Sequence, residues 1–381
     1  MSNVLTDLAA DIFKAADVVG REVVGFIPSV TINAGSEEAA QGDTVRSHAT
    51  RKATVNSSAT PSMAIPEGDD QTVDNKTMTV SQIASVRIPW TGEDMKHVNN
   101  GSGFETIYGD QIAQAFRGIA NAVESRVATV AYQGASRAVG TAGTTPFASN
   151  HNIVNEARQI LIDNGMPVTD GNVSMVMSTT AGTNMRNLSN LYKVNEAGEA
   201  SLLRQGVLQD ISSVMMRESA QVVAHTKGTG TGYLVNGAGA VDDTTITADT
   251  GSGTLLAGDV VSFAADTDNK FVANTALAGG DFTIGDPGLR AAIADNNAIT
   301  IGNSYTANLM LHRSAVELAM RPLAKPNGGD AAVDEMIVQD PHSGLVFRIS
   351  AYKGYNKAMF DITALYDAKV WNSDAIATVM G

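Results

Sequence analysis

The stretch "LMLHRSAVELAMRPLAKPNGGD" (309–330) holds the residue types best suited to chemistry. His312, Arg313 and Ser314 stand in a row, and a Gly-Gly-Asp tail follows. A histidine two residues from a serine could serve as general base to a nucleophile. That chemistry also needs a third group to orient the imidazole and donors for an oxyanion. Nothing nearby in the sequence supplies either, so no catalytic centre is expected. The spacing points to architecture instead. "ANLMLH" (307–312) is a predicted strand. Ser314 is placed to cap a predicted helix over 314–321, with Ala315, Leu318 and Ala319 on one face. Glu317 and Arg321 would form an exposed pair one turn apart, and Pro322 would end the helix.

Other candidates are weaker. The six histidines (His48, His97, His151, His225, His312, His342) include no pair four apart and no HExxH arrangement, so no metal site is expected. "GTGTG" (228–232) lacks the spacing of a dinucleotide loop and the Lys-Ser/Thr of a phosphate loop. "DTDNKF" (266–271) starts like a calcium loop but lacks its glycine and closing glutamate. GxSxG is absent. No catalytic, cofactor-binding or metal-binding residue is assigned.

Composition excludes further classes. The chain has no cysteine, which rules out disulfides and thiol chemistry. Its formal charge of −14 argues against a protein that grips nucleic acid or an anionic membrane. The start "MSNVLTDLAADIFKAADVVG" has no basic head, and Asp7 and Asp11 interrupt its apolar run, so no secretory signal is expected. No apolar run reaches the roughly 18 residues of a membrane span.

The elements that surround these residues follow from pattern. Leu5, Leu8, Ile12, Ala16 and Val19 predict a helix over 3–19. Residues 40–95 predict a long projecting hairpin with a basic first strand (Arg46, Arg51, Lys52) and an acidic tip (Glu67, Asp69, Asp70, Asp74). In its second strand Val86, Ile88 and Trp90 share a face. Over 106–133, Ile112, Phe116, Ile119, Val123, Val127 and Val130 form one stripe, with Asp110, Gln114, Arg117, Asn121 and Glu124 off it. Such a helix runs about 40 Å, long enough to be a spine. A helix over 151–164 capped by Asn150, a buried strand over 172–179, a helix over 181–192 and a strand over 210–219 follow. Composition then shifts. Residues 228–304 hold 13 glycines, 11 threonines and nine aspartates against one lysine and one arginine, so half of the chain's net charge sits there. Short strands between turn signals predict a small inserted β-domain. Strands over 344–352 and 357–371 complete the chain.

This order of elements resembles the Hong Kong 97-type major capsid proteins of tailed bacteriophages, and more narrowly the podovirus coat-protein (gene-five coat) family. The resemblance is carried by "VDNKTMTVSQIASVRIPWTGEDM" (73–95), "TGYLVNGAGA" and the following "TTITADTGSGTLLAGDVVSFA" (231–264), and the stretch from "NLMLHRSAVELAMRP" to "DITALYDAKVW" (308–371). It covers essentially the whole chain. It implies an α+β fold divided into an N-terminal arm (1–39), an extended loop (40–95), a peripheral domain with the spine helix (96–171), an axial domain in two parts (172–227 and 305–381) and the insertion (228–304). It implies a non-enzymatic shell subunit that assembles with itself into hexamers and pentamers around double-stranded DNA. A scaffolding protein and a portal would be partners, and the virion its location, the protein being made in the cytoplasm of a bacterial host. The projecting, charge-segregated hairpin agrees: Arg46, Arg51, Lys52, Glu67, Asp69 and Asp70 are expected to meet neighbouring subunits. Two other classes fit less well. An encapsulin-like compartment shell would share the fold. A secreted surface protein or adhesin would explain the Thr/Gly/Asp-rich segment but not the missing signal. A hydrolase comes last.

Overall fold

The computed structural model describes residues 5–48, 61, 63–65, 75–98, 104–193, 208 and 210–381. Helix α1 (Leu5–Glu22) leads to strand β1 (Thr31–Ala34). Strands β2 (Thr44–His48) and β3 (Asn75–Thr79) pair antiparallel and form the base of the expected hairpin. Strand β4 (Gln82–Thr91) buries Ile88 and Trp90 and exposes Arg87 and Pro89, as its alternation requires. After α2 (Gly92–Val98) comes α3 (Phe104–Gln133), whose Ile112, Phe116, Ile119, Val123 and Val127 are fully buried. The stripe is covered inside the chain, by α1 on one side and the sheet on the other. The length of α3 therefore serves its own core. Glu124, although off the apolar stripe, is also buried.

Strand β5 (Arg137–Gly140), α4 (Asn152–Asp163), β6 (Val173–Met177), α5 (Thr179–Arg186), α6 (Ser189–Tyr192), β7 (Met215–Glu218) and β8 (Ala224–His225) follow. His151, not Asn150, occupies the cap position of α4; the Asn150 side chain accepts from the Asn152 amide instead. The predicted helix over 181–192 is two short helices, with the break at Asn187–Leu188.

The acidic segment contains β9 (Leu234–Val235), β10 (Thr245–Asp249), β11 (Val260–Phe263), β12 (Asp266–Val272), β13 (Asp281–Thr283) and β14 (Ile299–Ile301). It closes a core of its own around Val261, Phe263, Phe271, Phe282 and Leu289. Its sheet is not isolated, however. β12 pairs β5, with Phe271 opposite Arg137, so β14, β11 and β12 continue the main sheet, while β13, β10 and β9 form a small sheet of their own.

The chain returns through β15 (Tyr305–His312), β16 (Val316–Arg321), β17 (Ala332–Gln339), β18 (Val346–Gly354), β19 (Lys357–Val370) and β20 (Ile376–Met380). Two large sheets result. A nine-stranded sheet runs β14-β11-β12-β5-β20-β15-β6-β7, with β8 also on β15. A six-stranded sheet centres on β19, which pairs β4 along one side and both β18 and β16 along the other. β17 and β1 form the outer edges beyond β18 and β16. Residues 305–381, expected as one axial unit, thus divide between the sheets: β15 and β20 in one, β16 to β19 in the other.

The predicted helix over 314–321 is absent. Its residues form β16, held between β1 and β19. Ala, Glu, Leu and Met favour helix in isolation, but here β1 and β19 satisfy both backbone edges, Val316, Leu318 and Met320 join the core around α3, and Ala319 packs with Met78 and Val80, and propensity is weak against that. Val316, Leu318, Ala319 and Met320 are completely buried. The expected Glu317–Arg321 pair does not form, because four residues along a strand span about 13 Å. Glu317 accepts instead from Asn33 (2.7 Å) and the Trp371 indole (2.6 Å).

Candidate functional site

Ser314 does not cap a helix. It closes the turn between β15 and β16, and its hydroxyl lies 2.8 Å from His312 Nδ1. The other ring nitrogen of His312 meets Asp170 Oδ2 at 2.9 Å. A third group therefore exists, contrary to expectation, brought from 142 positions away by the pairing of β15 with β6. The Ser314 amide also donates to Nδ1 (3.2 Å). Nδ1 must then be the acceptor, which leaves the proton on Nε2 for Asp170. Hydrogen bonds from His312 and from the Asn172 side chain and amide hold the Asp170 carboxyl well below the usual carboxylate range.

This Ser-His-Asp set lacks the other half of a hydrolase. The amides that could bind an oxyanion are already used. Arg313 N donates to Asn172 O, Ser314 N to His312, and Ala315 N to His312 O. The set instead clips the β15–β16 turn to the loop before β6. His312→Ala should cost about 1–2 kcal/mol of stability, and Ser314→Ala less, with no ester or peptide hydrolysis lost in either. Thermal melts and a chromogenic-ester assay would check this. An activity abolished in both variants, with melting unchanged, would reverse the reading.

Two further polar clusters, missed in the sequence, sit where the parts of the molecule join. Glu124 on α3 accepts from the amides of Phe26 (2.5 Å) and Ile27 (2.9 Å) and from Ser219 Oγ (3.0 Å). It fastens the chain after α1 to the middle of α3. Burial pushes its carboxyl up from the ordinary value, against the pull of these three donors and of Arg217. Arg117, two turns earlier on the same face of α3, clamps Glu22 with two bonds of 2.5 Å. The second cluster lies at the end of α3. Asp259, fully buried, accepts from Gly228 N (3.0 Å), Leu256 N (2.7 Å) and His225 Nε2 (2.9 Å). His225 reaches the Tyr132 hydroxyl through its other nitrogen (3.4 Å), and Tyr305 donates to Gly258 O (2.7 Å). Burial raises both tyrosine hydroxyls above their ordinary value. Gly258 has a φ of +94°, and a Cβ there would overlap the Tyr132 ring. This cluster joins the insertion to α3 and β15.

Of the six charged residues expected at subunit contacts, Arg46 lies exposed on β2. Arg51, Lys52, Glu67, Asp69 and Asp70 lie outside the described residues. Near the tip, Met63 and Ile65 are almost wholly exposed. An open groove of 570 Å³ runs between β4 and α3, lined by Val86, Arg87, Ile88, Pro89, Asp110 and Gln114 among others. Its ionisable groups, Arg87 and Asp110, form no acid–base pair with a nucleophile. Among the described residues no group of three or more metal-ligating side chains occurs, and no helix is long and apolar enough to cross a membrane.

No family model matches the chain, and no curated protein matches it in sequence. Solved structures do. The capsid of Ralstonia phage GP4 aligns at a TM-score of 0.46 and 12% identity, over 94% of this chain and 90% of that one. The mature capsid of bacteriophage PhiM1 aligns at 0.46 and 14% identity, over 93% and 86%. The capsid of cyanophage P-SCSP1u aligns at 0.52 and 10% identity, over 94% of this chain and 88% of that one. With two large sheets packed around a long helix, this chain has the α+β fold of the cyanophage capsid, the Hong Kong 97-type capsid fold.

Proposed function

We propose that the protein is a major capsid subunit that assembles with itself into an icosahedral shell enclosing double-stranded phage DNA. The observation that carries this reading is the near full-length match in fold to the cyanophage capsid. The molecule's own surfaces support it. Among the described residues no complete catalytic set occurs, and exposed apolar side chains such as Met63, Ile65 and Tyr355 suit contacts between copies. A shell of many copies is stable even when each contact is weak, because avidity multiplies small free energies. A chain of net charge −14 suits a container that confines DNA without gripping it. A scaffolding protein and a portal belong to this reading as partners, the virion as its location and a bacterial cytoplasm as the place of assembly. Negative-stain electron microscopy of the purified chain tests it: closed shells of uniform diameter are expected, with DNA rather than an enzyme as the cargo of native particles. A monodisperse monomer under all assembly conditions would reject it.

The hairpin is proposed to carry part of the contact. A two-stranded ribbon is only marginally stable alone in water, and its charges are segregated between strand and tip. Changing Arg46, Arg51 and Lys52 together to glutamate should leave the subunit folded and lower shell yield, most clearly near physiological salt. Each exposed pair contributes only about 0–1 kcal/mol, but every copy repeats it. Size-exclusion chromatography beside microscopy would show it; unchanged yield would make the basic strand a solvated face.

A further inference from the structure

Two small patches at opposite ends of the molecule are complementary. The first is the tip of the β18–β19 hairpin, "KGYNK". Tyr355 there is 96% exposed, and the exposed Lys353 and Lys357 flank it. Asn356, with a φ of +51°, makes the tight turn that holds the tyrosine outward. The second is a loop of the insertion, "AVDD". Val241 there is half exposed, and the exposed Asp242 and Asp243 follow it. Hydrogen bonds fix this loop: Asp243 accepts from the Ala240 amide (2.6 Å), and Asp242 N donates to Leu289 O (2.8 Å). Each patch is thus one apolar side chain beside two like charges, with opposite signs on the two patches. Both are held by backbone geometry, so little order is lost on contact.

The patches cannot meet within one chain. The hairpin tip lies beside the start of α3, because Lys357 pairs Thr91 and β4 then runs into the groove shared with Asp110 and Gln114. The acidic loop lies beyond its end. A Cβ on Gly285 would touch Ala135 and Ser136, just after α3, and one on Gly288 would touch Asp242 and Asp243. The 30 residues of α3 separate them by about 45 Å. A contact between unlike patches on two copies is head-to-tail, the kind that propagates into rings and closed lattices.

We propose that the β18–β19 tip of one copy docks on the Val241–Asp243 loop of a second copy, with Lys353 and Lys357 facing Asp242 and Asp243 around Tyr355 and Val241. The proposal rests on the shell reading and names one of its contacts. The test uses two full-length variants, Lys353→Glu/Lys357→Glu and Asp242→Lys/Asp243→Lys. Each alone has a tip and a loop of like sign, so its assembled fraction should fall about tenfold or more. Mixed in equal amounts, they present opposite signs to each other and should recover to within about twofold of the parent chain, as should a chain carrying all four changes. Sedimentation reads self-association, and electron microscopy reads shells. Recovery on mixing cannot come from misfolded variants, so it supports the contact directly. Unchanged assembly in the single variants overturns the contact while leaving the shell reading intact. Loss in both with no recovery on mixing or in the fourfold variant also overturns it. Normal shells with reduced DNA content in the lysine variant would assign the tip to DNA and overturn it as well. Salt-sensitive self-association that follows this pattern without any closed shell would keep the contact and reject the shell reading.

Discussion

Asp259→Ala should release the inserted β-segment from α3. Removing the carboxylate leaves His225 Nε2 and the amides of Gly228 and Leu256 without partners in a buried site. An orphaned buried donor costs roughly 1–3 kcal/mol, and breaking a buried charged contact roughly 3–5 kcal/mol. The total effect should be on the order of 4 kcal/mol, concentrated in one part of the molecule. Hydrogen exchange would therefore rise first in β11, β12 and β14, while the amides of β19 stay protected. Asp259→Asn keeps one carbonyl acceptor and should lose about half as much. Calorimetry with exchange by mass spectrometry would decide the matter. A variant with parental melting and uniform exchange would mean that the cluster is not the joint. The insertion has its own core, so it should stay folded when loosened; its strand pairing through β12 and β5 should be what remains of the attachment.

Gly25→Ala is the second large effect. A Cβ at this position would overlap Glu124 Oε1 and press on Ser219 Cβ. Glu124 cannot retreat without giving up the amides of Phe26 and Ile27. Overpacking together with the lost bonds should cost about 3 kcal/mol and free the N-terminal arm from α3, seen as early proteolysis after α1. The same carboxylate supplies a pH signature. Its folded pKa is raised by burial, so the folded state holds the proton more tightly than the unfolded chain does. The contribution of Glu124 to stability is therefore greatest at acid pH. It weakens as pH rises from the unfolded value near 4.3 through the raised folded value, and is level above that. Glu124→Gln lacks this titration. The melting difference between the glutamine variant and the parent should thus shift in favour of glutamine as pH rises through that window. A difference that is flat, or that moves the other way, would contradict a buried, proton-favouring Glu124.

Much of the fold was legible before any coordinates because local pattern and tertiary role coincide. The α3 stripe is periodic because one helix must face a core for eight turns, and the structure buries it. Val86, Ile88 and Trp90 alternate because β4 has a covered face and an open one. The acidic, Gly/Thr-rich segment is set off by composition because short strands and tight turns need those residues, and it closes a separate core. Other features depend on contacts between distant residues, which periodicity does not encode. β16 has helix-forming residues and an i,i+4 charge pair, yet it is a strand because β1 and β19 pair with its two edges while the core around α3 and the base of the β2–β3 hairpin cover its faces. Glu124 has the spacing of an exposed residue, yet it is buried because the loop after α1 brings two unpaired amides to it. His312 and Ser314 gain Asp170 only through the pairing of β15 with β6, and the same turn uses up the amides that catalysis would need. The sequence by itself determined which segments had to bury an apolar face and which carried the charge. Tertiary structure decided which strand sits between two others, where buried donors find a carboxylate, and that three strands of the insertion continue the main sheet. Those outcomes come from backbone hydrogen bonds that must be satisfied across the whole chain at once.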